Sequence, residues 1–193
     1  TTGVSFDAAQ NAKARTRAAL TNVSSTFIDH DIRDLESLQQ LRGVADVVIC
    51  TETIEHILND RKLMTDIAGC LKPGGRLLMT APYEHYKPIT PEDDGPFSKV
   101  EDGGHVRRGY TAESYLMLCD AAGLQVQELG FCSGLTSQWS TKILRKLSTI
   151  TYLVGWISIL PLRVLPPVID PIISLTGLWP DYSITLIAEK PKN

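Results

Sequence analysis

Cysteine is scarce in this sequence, and its placement argues against a cysteine-based metal site. The 193 residues include four cysteines with no CxxC spacing, at Cys50, Cys70, Cys119 and Cys132. Structural zinc sites use closely spaced cysteines and histidines, so we expect none built from these thiols. The cysteines lie within apolar runs, which is typical of reduced, buried thiols in a cytoplasmic protein.

Excess positive charge is also missing. The 19 basic and 22 acidic side chains give a net charge of -3, and no segment is rich in Lys or Arg. Binding to phosphate backbones needs a basic face, so we expect no nucleic-acid partner. The hydrophobic fraction of 43% and the charged fraction of 21% fit one globular domain.

Long hydrophobic runs and targeting signals are lacking as well. The uncharged run from Leu147 to Leu162 has 16 residues, fewer than the roughly 20 that a bilayer-spanning helix needs. The chain begins with Thr1 and shows no basic start followed by an apolar stretch, so we predict neither a transmembrane helix nor a signal peptide.

The first two thirds of the chain alternate short apolar runs with amphipathic segments. This pattern predicts an α/β fold in which helices cover both faces of a parallel sheet. Ala45–Cys50 is apolar on both faces, so we place this strand in the middle of the sheet. Strands are predicted at Thr1–Ser5, Thr26–His30, Ala45–Cys50, Arg76–Ala81, Gln125–Phe131 and Ser183–Glu189, and residues 82–104 are predicted to form a long loop.

Residues 131–180 differ in composition from the core, which we assign to residues 1–130 and 181–193 of a single domain. This insertion carries only five charged residues, and all but Asp170 are basic. Its tryptophans Trp139, Trp156 and Trp179 fit two arrangements. The segment either forms a helical cap or lid over the sheet, or residues 139–180 contact a membrane surface peripherally through an interfacial helix.

Polar side chains follow several predicted strands, at the sheet edge where α/β proteins bind ligands. Ser5 and Asp7 follow the first strand, Asp31 follows the second, Thr51 and Glu52 follow the third, and Tyr83 follows the fourth. Asp7 and Asp31 also fit structural roles as a helix N-cap and a turn residue. Their positions alone leave both interpretations open.

Glu52, Glu55 and His56 form the sharpest candidate group. If the chain turns helical at Glu52, their spacing of i, i+3 and i+4 places the three side chains on one face. Two carboxylates and an imidazole that face one way suit a general base with its orienting partner, or three ligands of a divalent cation. The alternative is that Glu55 and His56 only cap and solvate a helix start.

Two segments together resemble a known family. Residues 45–56, ADVVICTETIEH, and residues 71–78, LKPGGRLL, are similar to the core of class I S-adenosylmethionine-dependent methyltransferases, with the ubiquinone-biosynthesis O-methyltransferases as the nearest type. The similarity covers about residues 1–130 and the final strand. It implies a Rossmann-like methyltransferase sheet, a methyltransferase activity and S-adenosylmethionine as the cofactor.

The resemblance also implies roles for individual residues. Ser5 stands where the family has an acidic ribose-binding residue, and Asp7 is expected to substitute for it. Asp31 and Ile32 correspond to the turn that contacts adenine, while Cys50, Thr51 and Glu52 would line the methionine end. The first strand and glycine-rich loop of the family have no counterpart here, so we expect a piece truncated before Thr1, or one whose start is unobserved, and weak cofactor binding.

Two mechanisms fit transfer to an oxygen acceptor. In one, His56 or His105 is the catalytic base, with Glu55 beside it. In the other, Glu52, Glu55, His56 and His105 bind Mg, Mn or Zn, as the resemblance to small-RNA 2′-O-methyltransferases and some ubiquinone-pathway enzymes implies.

Further residues in the loop region are candidates for substrate contact. Arg107 and Arg108 suit an anionic substrate group, although solvated loop charges explain them equally well. Tyr83 and Tyr110 complete the expected substrate contacts. The sequence thus predicts an S-adenosylmethionine-dependent O-methyltransferase that acts on a small or lipid-linked acceptor, in the cytoplasm or peripherally at a membrane. The competing interpretation is a non-catalytic binding or scaffold protein.

Overall fold

A computed structural model describes residues 1–21 and 23–192. Short 3₁₀ turns separate several of the regular elements, and two of them, Ile54–His56 and Pro91–Asp94, lie near the candidate site. The elements in chain order are β1 Thr2–Ser5, α1 Ala8–Leu20, β2 Thr26–Asp29, β3 Ala45–Thr51, α2 Asp60–Cys70, β4 Leu71–Pro82, α3 Ala112–Ala121, β5 Gln125–Cys132, α4 Leu135–Ser148, α5 Tyr152–Ile159, α6 Pro166–Leu175 and β6 Ser183–Glu189.

The strands form two sheets. β1 and β2 pair in parallel as a two-stranded sheet. The other sheet has the order β3-β4-β6-β5, in which β3 and β4 are parallel and β6 runs antiparallel to both of its neighbours. Parallel pairing brings the carboxyl ends of β3 and β4 to the same edge, where the chain continues at Glu52 and at Tyr83.

The predicted central position of Ala45–Cys50 is wrong for the described residues. β3 is an edge strand of its sheet, and Val47 and Ile49 are 50% and 69% exposed. Side chains alternate between the two faces of a strand, and only the face that carries Val48 and Cys50 packs against the core. The other face lacks a covering helix among the described residues, because α1 packs on β1 and β2.

The core lies between the four-stranded sheet and helices α2 and α3. The helix face predicted from Leu63, Ile67 and Cys70 is buried there as expected. Tyr115 of α3 is also fully buried, and each large side chain of this kind contributes roughly 1.5–3 kcal/mol through its burial. This packing fixes β3 and β4, and therefore the position of the turn that follows β3.

Residues 135–175 fold into helices α4 to α6, which lie between β5 and β6 along the chain. Asp170 of α6 is buried and accepts hydrogen bonds from the backbone N–H groups of Thr136 and Ser137 at 2.8 and 3.0 Å. It therefore caps the N-terminus of α4 and joins it to α6. Among the described residues, none of the helices combines the length and apolar character needed to cross a bilayer.

The loop between β4 and α3 is held against the rest of the molecule. Tyr83 and Tyr110 form an isolated parallel bridge that closes the loop at its base. Val106 N–H donates to the carbonyl of Glu55 at 2.9 Å. This contact places the neighbouring His105 beside the turn that follows β3.

Candidate functional site

The turn after β3 has an unusual backbone conformation at Glu52. Its φ angle is +46°, a left-handed value that costs a non-glycine residue about 1–3 kcal/mol and is concentrated at functional sites. Glu52 N–H donates to the carbonyl of Thr80 at 2.9 Å, so the turn is tied to the end of β4. The predicted helix at Glu52 does not form; the chain makes only the 3₁₀ turn Ile54–His56.

Glu55 is a completely buried carboxylate, and neither of its oxygens has a hydrogen-bond partner among the described residues. Burial raises its pKa to about 7, and the nearby charge of Glu52 acts in the same direction. The burial of an unpaired charge is unfavourable. Glu55 is therefore suited to hold a proton near neutral pH or to bind a cation.

Two imidazoles face this carboxylate. Nε2 of His56 and Nε2 of His105 lie 3.8 and 4.0 Å from Glu55 Oε1, and the two rings meet edge to face with their centroids 4.7 Å apart. Nδ1 of His56 lies 2.9 Å from the carbonyl of Gly104, which can only accept, so Nδ1 carries the proton. In the neutral ring, Nε2 then presents its lone pair towards Glu55.

The side chains of Glu55, His56 and His105 offer ligand atoms that all lie within 4.8 Å of one another. Because the histidine lone pair and the carboxylate are both acceptors, a proton or a cation between them would relieve their repulsion. The hydrogen bond from His56 to a backbone carbonyl is the arrangement that typically orients a metal-ligating histidine. Glu52 lies outside this cluster, and its Oε1 accepts a hydrogen bond from Ser183 at 3.1 Å.

A cavity of about 1050 Å³ opens beside the cluster. Its volume is at the upper end of the range for small-molecule sites. The turn after β3, the strand ends of β4 and β6, the loop around residues 89–97 and one face of α4 form its walls. Its lining includes Glu52, Glu55, His56, His105, Gln138, Thr141, Lys142, Arg145, Lys146, Tyr182 and Ser183.

Comparison with known proteins assigns this architecture to a family. The family profile described as "Methyltransferase domain" matches residues 1–129.

The chain belongs to the methyltransferase-domain family.

Solved structures show the same fold at low sequence identity. The O-methyltransferase from the trans-AT PKS multienzyme of Brevibacillus brevis, in complex with S-adenosyl-L-homocysteine, has a TM-score of 0.53 and 17% identity over 99% of this chain and 58% of that chain. Geranyl diphosphate C-methyltransferase from Streptomyces coelicolor, in complex with Mg²⁺, geranyl diphosphate and S-adenosyl-L-homocysteine, has a TM-score of 0.56 and 16% identity over 98% of this chain and 62% of that chain.

A third structure extends the comparison to a different reaction. The [4+2]-cyclase SpnF has a TM-score of 0.62 and 16% identity over 100% of this chain and 66% of that chain. The present chain thus spans less than two thirds of the length of all three proteins. No curated protein sequence matches it.

These comparisons confirm the expected family and the Rossmann-like α/β fold. The expected cofactor residues of this methyltransferase domain lie at the ends of β1, β2 and β3, but of that set only Glu52 lines the cavity. Asp7 caps α1, and its Oδ1 accepts from the N–H groups of Ala9 and Gln10 at 3.0 Å each. Its neighbour Ser5 accepts a hydrogen bond from Asp7 N–H.

Asp31 is engaged in an ion pair with Arg33, whose guanidinium also pairs with Glu101. The hydrogen bonds from Arg33 hold the pKa of Asp31 below its usual range. Ile32 packs against the core, as does Cys50, and burial raises the pKa of the Cys50 thiol to about 11. Thr51 accepts a hydrogen bond from Thr53 through its carbonyl.

The expected substrate residues lie away from this cavity. Arg107 pairs with Asp60 and also donates to the carbonyl of Ile57 at 2.7 Å. Tyr110 is buried, and its hydroxyl bonds the carbonyl of Ile54 and the carboxylate of Asp60. These hydrogen bonds to backbone carbonyls hold the turn of residues 54–58 in place.

The remaining two candidates are also occupied. Arg108 pairs with Asp94 and lies over the ring of Tyr86. The ring of Tyr83 packs edge to face on His85 and Phe131. None of these four residues lines the cavity, so a substrate role for them remains a prediction.

Sequence reasoning missed the cavity wall formed by α4. Gln138, Lys142, Arg145 and Lys146 belong to the segment expected to act as a cap or a membrane contact. The spacing of Gln138, Lys142 and Arg145 predicts one helix face, and that signal was available in the sequence. The missing information was that this face lines the same cavity as Glu55.

Proposed function

We propose that this domain transfers a methyl group from S-adenosylmethionine to a hydroxyl oxygen of a small or lipid-linked acceptor. The observation that carries the proposal is the cluster of Glu55, His56 and His105 beside a large cavity at the end of β3. Methyl transfer needs alignment of donor and acceptor and removal of the acceptor proton. The bound cofactor would supply the methyl group on a sulfonium.

The histidines are the proposed bases. Because His56 Nδ1–H donates to Gly104, its Nε2 can accept a proton from a hydroxyl in the cavity. The adjacent Glu55 would stabilise the imidazolium that forms. His105, whose pKa is lowered by burial and by the charges of His56 and Arg145, stays neutral near pH 7 and can take the same role.

The cofactor would be held by the residues at the strand ends. Asp7 uses only Oδ1 for capping, so its Oδ2 can accept from a ribose hydroxyl. We assign adenine contact to Asp31 and Ile32, and the methionine end to Cys50, Thr51 and Glu52, with Ser5 beside Asp7. Of these, Glu52 lines the cavity.

A divalent cation at Glu55, His56 and His105 is the second form of this mechanism. Two imidazole nitrogens and one carboxylate favour Zn²⁺ or Mn²⁺ over Mg²⁺, which prefers oxygen ligands. Such an ion would lower the pKa of an acceptor hydroxyl.

Calorimetric titration with Mn²⁺ should show an affinity that falls at least tenfold in Glu55→Gln, whereas Glu92→Gln, in the same cavity, should bind Mn²⁺ with unchanged affinity. Equal affinity in both variants would exclude this site.

The acceptor could be presented at a membrane, as for an enzyme of the ubiquinone-biosynthesis type. Large apolar side chains of α5 and α6 and their connection are largely exposed: Ile157, Leu160, Val164, Val168, Ile172 and Leu175. The one acidic residue of the insertion, Asp170, is buried, so the exposed charges there are basic. Apolar and cationic groups together suit an anionic lipid surface.

Flotation with phosphatidylglycerol vesicles tests this membrane contact. The protein should float with these vesicles, and Val168→Glu should release it. If the unaltered protein stays at the bottom of the gradient, the insertion is only a cap.

A non-catalytic binding protein is the alternative. The fold itself does not fix the reaction, since the structurally similar SpnF is a [4+2]-cyclase. Production of S-adenosylhomocysteine from S-adenosylmethionine in the presence of catechols and phenols separates the two functions. An enzyme produces S-adenosylhomocysteine only when acceptor is added, whereas a binding protein binds S-adenosylhomocysteine in a calorimeter without any turnover.

A further inference from the structure

Positively charged residues of α4 line the same cavity as the Glu55 cluster. Gln138, Thr141, Lys142 and Arg145 belong to this α4 wall. Their spacing brings them onto one helix face. A molecule bound in this cavity can therefore contact both the acid–imidazole cluster and the basic helix.

The basic residues of this wall differ in whether they are neutralised. Lys142 donates to Asp93 at 2.9 Å and also contacts Thr90. Arg145, in contrast, has neither a hydrogen bond nor an ion pair with any described residue. Its charge nevertheless acts on the site, since it contributes to lowering the pKa of His105 and opposes the raised pKa of Tyr182.

Gln138 adds an unfilled donor to the same face. Its Nε2 is buried and has no acceptor among the described residues, and an unsatisfied buried polar group costs about 1–3 kcal/mol. A ligand oxygen in the cavity would satisfy this donor. The amide of Gln138 and the guanidinium of Arg145 stand seven residues apart on one face of α4, and both offer N–H donors that suit a carboxylate or phosphate.

We infer that the acceptor of this methyltransferase domain carries an anionic group, a carboxylate or a phosphate, which binds Arg145 and Gln138 on α4. This inference rests on the proposed function. The carboxylate of Glu52, which lines the same cavity, repels an anion, whereas the positive charges on α4 attract it. Such binding places the other end of the acceptor, with its hydroxyl, next to Glu55 and His105.

The carboxylate of the cofactor is another source of the same anionic chemistry. Binding to an acceptor anion and binding to the cofactor are distinguishable, because loss of Arg145 would weaken only the molecule that it contacts. S-adenosylhomocysteine, which has the same carboxylate, serves as the cofactor probe.

The experiment compares two probes that differ in charge, 3,4-dihydroxybenzoate and 3,4-dihydroxybenzamide, by calorimetric titration of the full chain with and without S-adenosylhomocysteine. The benzoate should bind at least tenfold more tightly than the amide. Arg145→Gln should weaken the benzoate at least tenfold and change the affinity of the amide and of S-adenosylhomocysteine less than twofold. The matched control is Arg163→Gln, because Arg163 lies over the ring of Trp156 and outside the cavity lining.

Several results would overturn the inference. These are equal binding of the two probes, absence of benzoate binding, and benzoate binding that Arg145→Gln leaves unchanged. A loss of S-adenosylhomocysteine affinity in Arg145→Gln, with the benzoate unaffected, would assign the arginine to the cofactor instead. If charge-dependent binding holds but no acceptor is ever methylated, the proposed function fails and the anion site remains.

Discussion

Glu55 should make the stability of the ligand-free chain depend on pH in an unusual direction. Its carboxyl is buried, finds no hydrogen-bond donor in the part of the chain that the structure describes, and has a pKa that burial raises to about 7. The folded state therefore holds the proton more tightly than the unfolded state. The resulting contribution to the free energy of unfolding is fully present below the unfolded pKa and is lost as the pH rises through 7.

The size of this effect follows from the shift. Moving the pKa from 4.5 to about 7 corresponds to about 3 kcal/mol, at about 1.4 kcal/mol for each pH unit. Glu55→Gln removes the titrating group and retains nearly the same shape. The difference in unfolding free energy between Glu55→Gln and the unaltered chain should therefore grow by about 3 kcal/mol in favour of the variant between pH 5 and pH 8.

Urea unfolding at closely spaced pH values measures this difference. His105, whose pKa is lowered mainly by burial, has the opposite effect on stability, which is lost as the pH falls, but it is present in both proteins. Glu128→Gln is the matched control, since Glu128 is exposed and is not among the groups that act on the pKa of Glu55, and it should leave the pH profile unchanged. Parallel profiles for Glu55→Gln and the unaltered chain would refute the reasoning.

Three further predictions concern the scaffold and are measured by urea unfolding at pH 7. Asp170→Ala should lower the free energy of unfolding by about 3 kcal/mol, because buried donors at the start of α4 lose their acceptor; a loss under 1 kcal/mol would contradict this prediction. The hydrogen bonds from Ser137 and Thr136 outweigh burial and hold the pKa of Asp170 below its usual value. The contribution of Asp170 to stability should therefore fade as the pH falls below about 4. Gly109→Ala should cost about 2 kcal/mol or more, since a Cβ there would lie 2.2 Å from the carbonyl oxygen of Pro82, whereas Gly69→Ala in open space on α2 should stabilise. Thr111→Ala should cost about 1 kcal/mol through loss of the α3 capping box, and no change would show that the cap is dispensable.

Local patterns in the sequence predicted local structure well. The strand Ser183–Glu189 has the predicted bounds, and Thr111 caps α3 as expected. Gly123 follows that helix with a φ of +69°, which a glycine adopts without strain. Caps, turns and hydrophobic periodicity depend on neighbouring residues, so they are readable without knowledge of the rest of the fold.

The site depended on contacts that such patterns do not encode. His105 lies beside Glu55 because the N–H of Val106, which is distant in sequence, donates a hydrogen bond to the carbonyl of Glu55. The left-handed conformation of Glu52 depends on its bond to Thr80 of β4. Likewise, the pairing of Arg107 with Asp60 is visible only in the folded chain; it makes Arg107 a support for the turn, and the expected substrate contact stays a prediction.

The central claim is that Glu55 and His105 act on the acceptor rather than on cofactor binding. Its most direct measurement is the rate of methyl transfer from tritiated S-adenosylmethionine, alongside the Kd for S-adenosylhomocysteine, in the unaltered chain, Glu55→Gln and His105→Ala. The account predicts that the rate falls at least 100-fold in both variants, in line with general acid–base catalysis, while the Kd changes less than threefold. Transfer within threefold of the unaltered rate in both variants would contradict it.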